Sequence, residues 1–224
     1  MSKEVFFVLL TAILFTTHEP VSKLIAGDIS PYAITAIRFF IGSLVCLPLS
    51  VREVKRNYIK LGWRDFLVLG GLGVLDICIS MVLLQVAVKK ADSPALISII
   101  FSLNSIITIL LSAIVFKSKL TLVKVIGIVL CVVGVFASTD IGSGSNIESV
   151  ILAILAAATF SVYTILCKKY MAKFSGVIQT GISFFMGSVV LLLALFVGGF
   201  DIVGGISGSN IGELLYLSVV VTGV

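Results

Sequence analysis

Runs of apolar residues about as long as the hydrocarbon core of a bilayer is thick dominate this chain, and they leave little choice of fold. They fall at about 4–26, 32–51, 64–88, 93–116, 121–138, 147–167, 177–198 and, incompletely, 212–224. Crossing a core of ~30 Å takes about 20 helical residues. Lipid offers the backbone no hydrogen-bond partner, so only helices and closed barrels span it. Barrel strands alternate in polarity, and these runs do not. The chain is 59% hydrophobic and only 12% charged, against about 25% charged in an ordinary soluble domain. The expected fold is all-α and polytopic, with the lipid bilayer as its solvent.

Local signals mark several helix starts. Ser30-Pro31 and Ser93-Pro94 place a capping residue before a proline at the first helical position, while Ser145-x-x-Glu148 and Asn210-x-x-Glu213 read as capping boxes. Basic residues accumulate in cytoplasmic loops. Lys3, Arg52, Lys55, Arg56, Lys60, Arg64, Lys117, Lys119, Lys124, Lys168, Lys169 and Lys173 all fall on one side of this topology, leaving Lys23, Lys89 and Lys90 near the other and Arg38 inside the membrane. The sequence therefore predicts a cytoplasmic N-terminus. The net charge of +5 is a topology signal, because no basic patch is interleaved with exposed aromatics as a nucleic-acid surface requires. The first run continues through Glu19 and Lys23 with no small-residue cleavage site, so it reads as a retained helix and not a signal peptide.

The sequence also repeats itself. "IRFFIGSLVCLPL" from Ile37 matches "ISFFMGSVVLLLAL" from Ile182; Lys23 and Ala26 align with Lys169 and Ala172; and "WRDFLVLGG" corresponds to "IGELLYLSV". The unit holds five helices, so two copies enter the membrane from opposite sides, the inverted-repeat arrangement of secondary transporters. The expected organisation is a first repeat over 1–139, a Gly/Ser-rich linker over 140–146 and a second repeat over 147–224. In this alignment Val224 falls opposite Asp76, so the second copy is expected to be truncated and the uncut gene to encode further helices.

With "ISPYAITAIRFFIGSLVCLP", "ADSPALISIIFSLNSIITILLSAIVF" and "GIVLCVVGVF" in its second, fourth and fifth helices, the chain resembles the EamA domain of the drug/metabolite transporter superfamily. The resemblance covers nearly the whole chain. It implies a ten-helix carrier, often an exporter, of small organic solutes such as amino acids or other metabolites. Two positions depart from many relatives: Asn104 stands where a mid-helix proline is common, and Ser118 where a glutamate precedes the basic residue.

Polar groups inside the apolar spans are the candidate site, since an ionisable side chain at that depth usually faces a cavity or a partner. Glu19 and Asp76 are the acidic residues well inside, with Arg38 at a level similar to that of Glu19. "HEPVSK" starts like the zinc-protease signature, but position 22 is Ser22 and His18 is the single histidine; the four cysteines are scattered. No metal and no cofactor are expected, and no nucleophile–base pair marks a membrane enzyme. Two readings of this stretch stand side by side. In one, Glu19 is balanced by Lys23 one turn on, or by Arg38, and Pro20 only kinks the helix. In the other, Pro20 frees carbonyls toward a cavity where His18 and Glu19 meet solute or a coupling proton. Asp76, with Ser80 one turn on, reads as a solute contact. Asn104 and Thr108 share a face and serve either solute or interhelical bonding. Tyr163 and Thr164 align with Thr17 and His18 as further cavity candidates. The Ser98, Ser102, Ser105 and Ser112 stripe, like Gly127, Cys131 and Gly134, reads as helix packing. The expected partner is a small-molecule solute; a non-transporting membrane interaction subunit is the alternative.

Overall fold

The computed structural model describes residues 13–14, 16–118, 121–138 and 146–223. Lys3, Lys119, Ser145 and most of the linker lie outside the described residues. Among the described residues, eight helical elements fall on the apolar runs: α1 His18–Ile25, α2 Pro31–Arg56, α3 Trp63–Lys90, α4 Pro94–Val115, α5 Leu122–Ser138, α6 Ile147–Tyr170, α7 Gly176–Val197 and α8 Ile211–Val221. Five of them (α2, α3, α4, α6 and α7) are long and apolar enough to cross a bilayer. Among the described residues no strand occurs.

The capping signals are met unevenly. Ser30 accepts from the Ala33 amide at 3.3 Å with Pro31 in the first helical position, as expected. At α6 the cap is Asn146, whose side chain accepts from the Glu148 amide, one residue later than the sequence box predicts. Asn210 caps nothing with its side chain; it bonds the Ser207 amide and the Gly205 carbonyl, closing the loop before α8. Ser93 makes no side-chain cap bond, and Pro94 alone marks that start.

Two helices depart from regular α geometry. Inside α3, residues Val74–Met81 form a π-helical segment, and α8 ends in another over Tyr216–Val221. α4 is interrupted at Ser102, two residues before Asn104, so the break expected of a proline is present without one. A π segment widens the helix and leaves i→i−4 partners unmet, a geometry often found at functional positions.

α7 packs most extensively on α2 and also on α3; α6 lies against α3 and α4. Close approach is written into the glycines. A Cβ on Gly73 would sit 2.1 Å from the Ser183 carbonyl oxygen, and one on Gly187 would sit 2.4 Å from that of Gly73. Small residues that let backbones meet are the usual device of helix association in lipid, where the hydrophobic effect does not hold helices together. The main apolar cluster joins Ala36 and Phe39 of α2, Ile77 and Leu84 of α3, Ile97 and Phe101 of α4, Ala153 and Ala156 of α6, and Leu191 of α7. α5 is different: Gly127 and Gly134 face open space, so the packing role expected of them is not seen among the described residues.

Candidate functional site

Arg38 is carried by the middle of α2 and is 5% exposed. One guanidinium nitrogen bonds His18 Nε2, another reaches Met81 Sδ at 3.9 Å, and the guanidinium carbon lies 4.5 Å from the Phe39 ring centroid. His18 Nδ1 lies 3.5 Å from a Glu19 carboxylate oxygen. A chain of polar groups thus runs Glu19, His18, Arg38, each member buried. Such networks hold buried charge only when the partners are well placed.

Lys23 plays no part in it. Its ammonium donates to the main-chain oxygens of Lys89 and Ala91, the latter at 2.5 Å, and so closes the C-terminal end of α3. The expected Glu19–Lys23 pair is replaced by a helix-end cap, because Lys23 sits beside carbonyls left open where α3 stops. Pro20 is exposed.

The cavity itself has a volume of about 500 Å³ and lies between α2, α3, α6, α7 and the end of α8. Arg38, Asp76 and Met81 line it together with the aromatic rings of Phe39, Phe160, Tyr163 and Phe184; Cys46, Leu49, Val177, Thr180 and Thr222 extend it toward the end where α2 finishes and α7 begins. Asp76 belongs to the π-helical segment, is 1% exposed, and neither of its carboxylate oxygens has a hydrogen-bond partner. Arg38 Nε is also without one. Among the described residues no direct ion pair joins these two residues, although each lies within the other's field. Buried polar atoms are nearly always bonded, and an orphaned charge beside a cavity calls for an explanation.

The sequence candidates therefore divide. Arg38, Asp76 and Tyr163 come together on the cavity wall. His18 and Glu19 stand behind it, reaching it through Arg38. Thr164 bonds the Phe160 carbonyl at 3.0 Å within its own helix. Asn104 and Thr108 are half-buried on α4, outside the lining; the Asn104 main-chain oxygen accepts from Ser161 at 2.8 Å. Ser80 is likewise turned away, donating to the Ala156 carbonyl at 3.0 Å. Phe39, Phe160 and Phe184 carry no ionisable group to mark them as lining residues, yet for two of them a signal exists: the "FF" pairs of "IRFF" and "ISFF" align with each other in the sequence.

A bundle of apolar helices, five of them long enough to cross a bilayer, around a cavity lined by Arg38 and Asp76 defines a polytopic membrane protein. The profile of the EamA-like transporter family matches residues 2–139 and 147–224. The chain belongs to that family. An uncharacterized transporter of Clostridium kluyveri is 33% identical over an alignment of 235 residues that takes in 100% of this chain and 75% of the relative. An uncharacterized transporter of Archaeoglobus fulgidus is 27% identical over 163 residues, 73% of this chain and 56% of the relative. One crystal structure superposes with a TM-score of 0.61 at 17% identity, covering 95% of this chain and 75% of that one, and is similar in fold.

Proposed function

We propose that this protein is a secondary transporter that exports small organic metabolites, amino acids or related compounds, by alternating access of two inverted repeats, 1–139 and 147–224, joined by 140–146. The observation that carries the reading is the cavity in which Arg38 and Asp76 stand with unmet hydrogen-bonding atoms and no pair between them. A solute bearing an acidic and an amino group would satisfy both, its acid at Arg38 and its amine at Asp76, while the aromatic walls accept its apolar body.

The packing supports the repeat. Gly42 meets Ser218 and Thr222, while Gly187 meets Gly73 and Ile77. The offset from 42 to 187 equals that from 73 to 218 and from 77 to 222, so one contact is the other with the copies exchanged. In that register Arg38 has Ser183 as its counterpart and Asp76 has Val221, three residues before the Val224 that the alignment of "WRDFLVLGG" with "IGELLYLSV" sets opposite it; in either register the site charges belong to the first copy alone. The basic-residue distribution supports a cell-membrane (inner or plasma) location with a cytoplasmic N-terminus. A proton is the proposed coupling ion, with Glu19 as its carrier behind the cavity.

The test is counterflow of labelled amino acids and their amine-only and acid-only analogues in proteoliposomes. Saturable exchange that requires both groups and is abolished in Asp76→Asn is expected. Equal uptake by protein-free vesicles would overturn the reading.

A further inference from the structure

A second, shallow and widely open depression lies on the outer side of α2 and is lined by that helix's own Leu47, Pro48, Val51, Arg52 and Lys55. These residues recur along one face of the helix, apolar toward the membrane interior and basic toward its edge. Pro48 has no amide hydrogen, so it leaves the Leu44 carbonyl without its helical partner on the same exposed face. Arg52 and Lys55 are exposed and pair with no acid among the described residues. Glu53, the nearest carboxylate in sequence, is less exposed and falls outside the lining.

We propose that this groove is a binding site for an anionic glycerophospholipid, its phosphate held by Arg52 and Lys55 and its glycerol and first acyl carbons laid along Leu47, Pro48 and Val51. Charge complementarity selects the occupant. A hydrocarbon trough that ends in two cations at the membrane edge matches a lipid with a negative headgroup, and each basic residue there contributes attraction to anionic lipid that a zwitterionic headgroup does not return.

The opposite copy of the repeat supplies an internal comparison. The residues equivalent to the groove are Leu192, Leu193, Phe196 and Val197 of α7 and Phe200 just beyond its end. Four of them, Leu193, Phe196, Val197 and Phe200, are 57%, 76%, 84% and 56% exposed. Under the repeat this face of either helix looks into lipid. Only the α2 version carries cations, so the site is specific to one leaflet. The proposal is independent of the cargo of the central cavity.

The experiment is native mass spectrometry of the full chain released from micelles containing equal amounts of phosphatidylglycerol and phosphatidylcholine with identical acyl chains. Wild type is expected to retain phosphatidylglycerol in preference, and Arg52→Gln with Lys55→Gln to reduce that preference roughly tenfold. Lys168→Gln with Lys169→Gln, a basic pair away from the groove, should leave it unchanged. Matched melting temperatures of the variants check that each is folded. Preference that survives the Arg52 and Lys55 changes, or that falls equally with the Lys168 pair, would overturn the site. Appearance of a dimer that these same changes abolish would assign the groove to a second copy and also overturn it.

Discussion

Phe39 and Phe184 meet edge to face, ring centroids 4.9 Å apart and planes at 90°. In the proposed repeat they occupy the same position of the two copies, and the next pair, Phe40 and Phe185, also meets, at 6.2 Å. Residues that contact their own counterparts lie on the axis relating two copies, so under that proposal this contact marks the seam between the halves. It also forms part of the cavity wall. A double-mutant cycle with Phe39→Leu and Phe184→Leu, read by thermal unfolding in micelles, should give a coupling of about 0.5–1.5 kcal/mol. Strictly additive effects would show that the rings are neighbours without being partners.

The glycines along the α3–α7 seam give a sharper test of the packing. Gly73→Ala places a methyl against main chain that has no side-chain end to swing aside, and should cost about 1–3 kcal/mol. Gly71, two residues earlier on the same helix, has open space where a methyl would go, with nothing within 4 Å. Gly71→Ala should be neutral or stabilise by roughly 0.5–1 kcal/mol. Equal melting temperatures for the two variants would refute the close approach.

How far the site was legible in the sequence depended on the kind of signal. Apolar run length located the helices, because lipid forces every spanning backbone into the same solution. Intramembrane charge pointed to Arg38 and Asp76, because its desolvation cost makes it rare. Partner choice was not legible. Spacing within α1 favoured Glu19 with Lys23, but the turn after α3 offered Lys23 open carbonyls, and His18 took Arg38 instead. Those outcomes depend on how helices far apart in sequence cross. The π segment that carries Asp76 left no recognisable pattern in "VLDICISM".

Asp76 should separate stability from function. A carboxylate buried with no donor is a cost that binding, and not folding, recovers. Asp76→Asn is therefore expected to raise the melting temperature of the solute-free protein while abolishing counterflow of amine-bearing solutes. Arg38→Gln should do the opposite to stability, because it strips His18 and Glu19 of the cation they face and leaves a buried charge unpaired at a cost of about 3–5 kcal/mol. A drop in melting temperature for Asp76→Asn comparable to that for Arg38→Gln would assign both residues to one structural network.

Glu19 poses the question of coupling. Its carboxylate does not line the cavity but reaches it through His18 and Arg38, so a change in its protonation alters the charge that Arg38 can offer to a solute. If it carries the coupling proton, Glu19→Gln mimics the protonated carboxyl: the fold persists, exchange of solute for solute survives, and uptake driven by a pH gradient is lost. If it only anchors Arg38 through His18, the same substitution weakens the fold and reduces both modes together. Paired assays in proteoliposomes, with and without an imposed gradient, separate these outcomes, and Asp76→Asn serves as the variant expected to lose both modes while remaining folded. The proposed role predicts a large loss in the gradient-driven arm against less than a twofold change in exchange. Gradient-driven transport by Glu19→Gln at the wild-type rate would remove the proton from Glu19 and leave the Glu19–His18–Arg38 chain as the support that holds the guanidinium at the cavity.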